Sequence, residues 1–529
     1  MEDFPPSGVE FWVGQRVHAS GDTRRIGTVK YVGPVEGHSG TWVGVDWDNG
    51  DGKHDGSIKG IRYFHARSER SGSFVRPQNL SQGISLLEAL EIRYRGDSTK
   101  DEEDEMYVLS ASNRRVSIQL VGKDKVKDKL SRFEELTSAS LSYMGISSPG
   151  IPCHINTTVP NMKELDLTGN LLSEWKDAGA ICEQLPLLGT LNLSNNFISP
   201  YASGLPLLKN IHVLVLNNTG VDWVQVQLLG QSLPALEELH LMGNNMSTIL
   251  PMSSTVVQGF DSLRLLNLDN NCIAEWEEIM KLSQLRSLEQ LYLNKNCLNC
   301  IHYPDHSGVE VTCPKPFQNL RCLLLGGNNI GDMASIDSLN FFPKLVDVRL
   351  SENLITDPAR GGVSRFILIA RLAKIQILNG SEISPRERKD SEIRYVRVVI
   401  SRSLANPEEI KQHPRFSELK KFYGIEDERT STGTSGPQTM ASGFLSITLK
   451  CVGPSMGEKP QLTKKLPATT TVGKLKLLCE SFFKLKSVKL KLYLQEEGSP
   501  LPLLLDNDMA TFVDLGIGNE SIIIVDEGS

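Results

Sequence analysis

Leu165-Asp-Leu167-Thr-Gly-Asn170-Leu-Leu172 is a phrase that this chain writes repeatedly. It returns as Leu191-Asn-Leu193-Ser-Asn-Asn196-Phe-Ile198, Leu239-His-Leu241-Met-Gly-Asn244-Asn-Met246 and Leu266-Asn-Leu268-Asp-Asn-Asn271-Cys-Ile273. Further copies are Leu291-Tyr-Leu293-Asn-Lys-Asn296-Cys-Leu298, Leu323-Leu-Leu325-Gly-Gly-Asn328-Asn-Ile330 and Val348-Arg-Leu350-Ser-Glu-Asn353-Leu-Ile355. Two weaker copies join them, Leu214-Val-Leu216-Asn-Asn-Thr219-Gly-Val221 and Ile375-Gln-Ile377-Leu-Asn-Gly380. The first apolar position falls at 165, 191, 214, 239, 266, 291, 323, 348 and 375, in steps of 26, 23, 25, 27, 25, 32, 25 and 27. Alternating Leu-x-Leu puts both leucines on one face of a short strand, and Asn is suited to satisfy backbone groups where the chain turns out of it.

This is the leucine-rich-repeat pattern, and its period fits that class. One repeat cannot bury its own apolar face, so successive copies are expected to stack into a solenoid with a concave strand surface. Such a surface suits binding a large protein and carries no catalytic chemistry by itself.

At 529 residues the chain is long enough for several domains. Charged residues make up 22% and the net charge is -7, which points neither to general attraction for nucleic acid nor to disorder. No apolar run is long enough to span a bilayer, and the acidic start Met-Glu-Asp-Phe-Pro-Pro is unlike a signal peptide. Nine scattered cysteines suit reduced thiols, so a soluble cytoplasmic protein is expected, without nucleic-acid or membrane partners. Cys297-Leu-Asn-Cys300 with His302, His306 and Cys313 has the residue types of a zinc site. Cys297, however, lies inside a repeat phrase, where Cys272 sits in the preceding copy. The 32-residue step then reads as a loop inserted between repeats, and no metal or other cofactor is expected.

From Val17 to Leu80 the chain is rich in Gly, aromatic and β-branched residues, which predicts a small all-β barrel. Gly27-Thr-Val-Lys-Tyr-Val-Gly33-Pro34, Gly40-Thr-Trp42-Val-Gly44-Val, Gly52-Lys53-His54-Asp55-Gly56, Arg62-Tyr63-Phe64 and Gly72-Ser-Phe74-Val-Arg76-Pro77 together resemble a CAP-Gly domain. The resemblance implies capture of an acidic C-terminal tail that ends in an aromatic residue, the Glu-Glu-Tyr end of α-tubulin being the usual ligand. The expected tail-binding residues are Trp42, Gly52, Lys53, His54, Asp55, Gly56, Tyr63 and Phe64. Gly52 and Gly56 are expected to let the backbone approach the ligand, Lys53 to offer an ammonium, and Trp42 and Phe64 to supply an aromatic floor. Between Gly14 and Leu80 there are ten Lys/Arg against seven Asp/Glu, a net of +3 on an acidic chain. Ordinary packing competes with ligand contact for each aromatic taken singly, and a solvated turn competes for Lys53. Two departures touch the groove: His54 stands where the family has Asn, and Gly37-His38 where it has Phe-Ala.

The expected domain order is the CAP-Gly domain at 9-82, a connecting segment with a β-hairpin at 83-130, the repeats with caps at 131-383, capping helices at 384-424, a flexible linker at 425-442 and a last domain at 443-529. Asp101-Glu-Glu-Asp-Glu105 reads as a solvated run, and Met106 to Leu109 with Val116 to Leu120 as the hairpin. Phe133 to Ile146 is expected to cap the apolar end of the solenoid. Ser384-Pro385-Arg386-Glu387 has helix-start chemistry, with Glu387 closing a capping box. Strands at 444-450, 461-466, 488-494, 501-505 and 521-525 around a helix at 471-483 resemble a ubiquitin-like β-grasp domain. Its surface is read as a docking face, with an ordinary solvated sheet as the competing reading. The absence of a terminal Gly-Gly argues against conjugation as a modifier.

The fold class expected is therefore multidomain α+β: CAP-Gly barrel, leucine-rich-repeat solenoid and β-grasp. CAP-Gly, repeats and ubiquitin-like domain in this order resemble the tubulin-folding cofactors, tubulin-specific chaperones. The resemblance implies a cytoplasmic, cytoskeleton-associated factor that binds α-tubulin, works with other cofactors carrying β-tubulin, assembles the αβ heterodimer and, in reverse, dissociates it. A structural microtubule-binding protein and an adaptor to the proteasome or to ubiquitin receptors are the alternatives. An enzyme is not expected, since no phosphate loop, nucleophile elbow or His-Glu-x-x-His helix is present.

Overall fold

The computed structural model describes residues 10-96, 107-109, 115-117, 130-199, 205-249, 257, 260-304, 316-357, 360, 362-405, 407-425, 444-452, 459-485, 489-495, 502-512, 515-518 and 520-527. The chain forms two compact units, Met1–Cys272 with Lys281–Leu288, and Ile273–Met280 with Glu289–Ser529.

The first unit begins with a five-stranded antiparallel barrel. Strand Asp22–Val35 lies between Arg16–Ala19 and His38–Trp47, with Gly72–Val75 and Leu80–Ser81 at the edges. Val17, Val29, Val43, Val45 and Trp47 fill its interior, as alternating apolar residues on paired strands require.

The repeat strands of this unit are Ser138–Ser140, Glu164–Asp166, Thr190–Asn192, Val213–Val215, Glu238–His240 and Leu265–Asn267, all parallel neighbours. Leu165, Leu191, Leu214, Leu239 and Leu266 stand opposite one another as successive rungs. The first of these strands lies inside the stretch expected to be only a cap. Ala139-Ser-Leu141-Ser-Tyr-Met-Gly-Ile146 is in fact a degenerate copy of the phrase, with Ala139 registered on Leu165.

The asparagines work as their chemistry demands. Asn196 is fully buried. Its Nδ2 donates to the carbonyls of Leu167 and Leu193, both at 2.9 Å, and its Oδ1 accepts from the Asn170 N–H at 3.1 Å. Each rung thus closes the backbone of its neighbour, which no leucine could do. The residue before the Asn has positive φ in copy after copy, at Gly169, Asn195, Asn218, Gly243 and Asn270. Gly and Asn recur there because they enter that region at least cost.

Residues 84-96 lie on this end of the repeats instead of forming a separate connection. Strand Ile84–Ser85 pairs in parallel with Ile146–Ser148, and helix Leu86–Leu90 buries Leu86, Ala89 and Leu90. The hairpin is present as Tyr107–Leu109 against Arg115–Ser117. The acidic run 101-105, the hairpin's turn and most of the expected linker at 425-442 lie outside the described residues.

In the second unit the repeat strands are Gln290–Tyr292, Cys322–Leu324, Asp347–Arg349 and Ile377–Leu378. Val348 faces Leu378, so the last copy registers on Leu378 and not on Ile375. Two isoleucines three and one residues earlier offer an equally apolar but wrong alignment. Helix Pro385–Ala405 starts as expected, the Glu387 N–H bonding to Ser384 Oγ at 3.1 Å. The Glu387 carboxylate does not close a capping box; it is held by Arg365 at 2.7 Å. Helix Phe416–Tyr423 packs against the long helix through Phe416 and Leu419.

The β-grasp sheet runs Leu462–Pro467, Phe444–Cys451, Ile522–Glu527, Leu490–Gln495, Leu503–Leu505, with helix Val472–Phe483 burying Val472, Leu475 and Cys479. The first and last strands are parallel neighbours, Thr448 opposite Ile522. No described helix is long and apolar enough to cross a membrane.

Candidate functional site

The site starts at Gly44, in the middle of strand His38–Trp47. Tyr31 faces it from one neighbouring strand and Phe74 from the other. A β-carbon at Gly44 would lie 2.5 Å from Phe64 Cε1, so the missing side chain is the space into which Phe64 packs. Around this point Tyr31 and Tyr63 approach at 5.3 Å between ring centroids, Tyr63 and Phe74 at 5.2 Å, Phe64 and Phe74 at 5.4 Å, and His54 and Phe74 at 5.1 Å. Edge-to-face contacts dominate, as the ring quadrupoles favour. The result is a partly open aromatic shelf backed by buried Phe64.

Phe64 is therefore the support of the shelf, while Tyr63, Phe74 and Tyr31 are its half-exposed members. Tyr31 and Phe74 are additions to the expected set. Their places follow from strand register opposite a glycine, which the alternation around Gly44 contains but does not announce.

The phrase Gly52-Lys53-His54-Asp55-Gly56 curls beside the shelf. Lys53 N–H and His54 N–H donate to the Gly72 carbonyl at 2.7 and 3.1 Å, and Gly72 N–H donates back to the His54 carbonyl at 2.8 Å. The two flanking glycines make room for the chain itself. A β-carbon on Gly52 would strike the backbone of Ser71, and one on Gly56, where φ is +96°, the carbonyl of Phe64. An internal close approach thus requires both glycines here.

His54 fills the Asn place by imitating it. Its Nδ1 accepts from the Gly56 N–H at 3.0 Å, the bond an Asn oxygen makes in an Asx turn. Burial, opposed by Asp55 and aided by Lys53, pushes the imidazole pKa below its ordinary 6.5. Asp55 faces its own loop: it accepts from the Ser57 N–H at 3.1 Å and from the Ser57 hydroxyl, and pairs with Arg62 at 2.6 Å. Those bonds, the Ser57 hydroxyl's first, hold its carboxyl well below the ordinary carboxylate range. The Lys53 side chain is exposed, with no acidic partner among the described residues.

Trp42 stands apart from the shelf rings. Arg76 lies over it at 3.8 Å from the centroid and His38 meets it at 5.7 Å. Arg76 in turn donates to the Ser39 carbonyl at 2.7 Å. The Trp42 indole N–H is buried with no hydrogen-bond partner among the described residues. The structure thus gathers Lys53, His54, Tyr63 and Phe64 about one shelf, uses Gly52, Asp55 and Gly56 to shape its rim, and sets Trp42 on an adjoining cationic edge.

The cysteine cluster is not assembled as a metal centre among the described residues. Cys297 is exposed, and His302 faces Glu277 at 3.7 Å; His306 and Cys313 lie outside the described residues.

Comparison with known proteins places the domains. Residues 13–80 match the CAP-Gly domain model and residues 153–289 a leucine-rich-repeat model. Tubulin-folding cofactor E of Arabidopsis thaliana is 64% identical over 527 residues, 99% of each chain. Tubulin-specific chaperone E of Danio rerio is 34% identical, covering 94% of this chain and 95% of its own. The solution structure of the C-terminal ubiquitin-like domain of mouse tubulin-specific chaperone e is 26% identical, covers 19% of this chain and 95% of that one, and has a TM-score of 0.15. On identity over nearly the full length of both chains, the chain belongs to the tubulin-folding cofactor E family, the tubulin-specific chaperones E.

Proposed function

We propose that this chaperone grips α-tubulin in two places, the acidic C-terminal tail in the barrel and the globular body along the concave strand face of the repeats. With other cofactors carrying β-tubulin it then assembles the αβ heterodimer and, run in reverse, takes it apart. The β-grasp domain serves as a docking module for a further cofactor or for the degradation machinery, and the site of action is the cytoplasm.

The observation that carries this reading is exposed Lys53, next in the chain to His54, whose ring packs against Phe74 in the shelf it forms with Tyr31 and Tyr63. An anionic peptide ending in an aromatic ring needs a cation for its carboxylates and a ring face for its terminal side chain; both lie here together. A peptide ending Glu-Glu-Tyr, titrated against the full chain, tests the assignment. Binding that survives removal of the terminal Tyr contradicts it.

A further inference from the structure

Phe197 is an aromatic residue that its repeat does not need. It follows Asn196 at a position where an earlier copy has buried Leu171 and a later one exposed Cys272, and it stays 39% exposed. Two cations of the barrel nevertheless lie over its ring, Arg16 at 4.9 Å and Arg67 at 5.1 Å from the centroid. Asp48 holds both guanidiniums in place, pairing with Arg16 and, at 2.8 Å, with Arg67. The side chain of Arg16 is only 3% exposed, so its half of the stack is fixed, while that of Arg67 is 48% exposed and is held by its pairing with Asp48.

A second anchor sits two rungs back. Arg24 lies over Tyr143 at 5.8 Å, and the Tyr143 hydroxyl accepts from Asn195 Nδ2 at 3.2 Å. The third anchor is backbone: Ile84 N–H donates to the Gly145 carbonyl at 2.9 Å. Between the barrel's last strand, Leu80–Ser81, and the strand Ile84–Ser85 that joins the repeats, only Gln82 and Gly83 remain. No flexible linker separates tail groove from solenoid.

We propose that Phe197 is a positioning residue: with Arg16 and Arg67 it locks the barrel at one angle to the first repeats, so that groove and concave face meet a single tubulin molecule together. The inference rests on the two-contact reading above and adds that the contacts are pre-aligned instead of tethered. Preset geometry removes the ordering cost of the second contact and raises its effective concentration. Loosening the angle leaves each contact intact and weakens only their cooperation.

The full-length chain carrying Phe197→Ala is the test, with Phe197→Tyr as the conservative control that keeps the ring. Three quantities are measured: affinity for a Glu-Glu-Tyr tail peptide, affinity for intact tubulin, and hydrogen exchange at 84–85 and 146–148. In Phe197→Ala, peptide affinity is expected to stay within about twofold while tubulin affinity falls about tenfold and exchange at those amides quickens; Phe197→Tyr restores all three. Unchanged tubulin affinity overturns the proposal, as does a fall in peptide affinity matching that for tubulin, which would make Phe197 a stabiliser of the barrel. If the wild type binds tubulin without binding the peptide, the groove reading fails instead. Exchange at Ile84 then still decides the locking role, which unchanged exchange in Phe197→Ala overturns.

Discussion

His54 Nδ1 accepts the Gly56 N–H at 3.0 Å, closing the turn that carries Lys53. Only neutral imidazole with its proton on Nε2 can accept there. The folded-state pKa lies below 6.5, chiefly through burial. For a group depressed in this way, the stabilising contribution is complete above the unfolded value near 6.5 and is lost as pH falls through the folded value. Tail-peptide affinity of the wild type is expected to drop as pH falls from about 7 to about 5. An asparagine amide oxygen does not titrate in that range, so His54→Asn is expected to keep affinity while flattening the profile. Binding isotherms at both pH values check this, and a parallel decline in the variant contradicts it.

Lys53 is exposed and makes only backbone bonds within the turn, so Lys53→Ala leaves the fold alone. Loss of one charge-assisted hydrogen bond predicts about a tenfold drop in tail affinity, roughly 1.5 kcal/mol. The salt dependence of binding is expected to become shallower at the same time. Unchanged affinity removes Lys53 from the site.

Gly56 and Gly60 both have positive φ, at +96° and +83°, yet only Gly56 has neighbours where a side chain would go. Gly56→Ala is expected to destabilise the barrel by at least about 2 kcal/mol, adding collision with Phe64 to backbone strain, and Gly60→Ala by only about 1 kcal/mol. Thermal melts followed by tryptophan fluorescence separate the two. Equal losses would mean that the Phe64 approach is unimportant.

Asn196→Ala takes one donor from each of the Leu167 and Leu193 carbonyls and the side-chain acceptor from the Asn170 N–H, all inside the stack. Losing three buried hydrogen bonds costs about 3 kcal/mol, so a clear fall in the urea midpoint is expected. A shift under about 0.5 kcal/mol would show that the asparagines are replaceable.

The repeats are legible in the sequence because stacking forces one phrase to recur, with leucines inward and Asn at the turn. The rung at Ala139 escapes that reading because Met144 replaces the Asn and Ala the first Leu, leaving backbone pairing to hold the register. The last rung is misaligned by it because Ile375, Ile377 and Leu378 are all apolar, and only pairing with Val348 selects among them. In the candidate site the local phrase around Lys53 is readable, since turn chemistry is short-range. Tyr31 and Phe74 reach the shelf only through strands on either side of Gly44. The Arg16–Phe197–Arg67 stack joins positions far apart in the chain, and no period or motif marks such a pairing.

Mixing the purified chain with αβ-tubulin and sizing the products by chromatography with light scattering tests the two-contact chaperone most directly. The prediction is a stable complex of the chain with α-tubulin, β-tubulin separated from it, and a weaker complex when the α-tubulin tail has been trimmed. Heterodimers that stay intact while the chain sediments with assembled microtubules would contradict it.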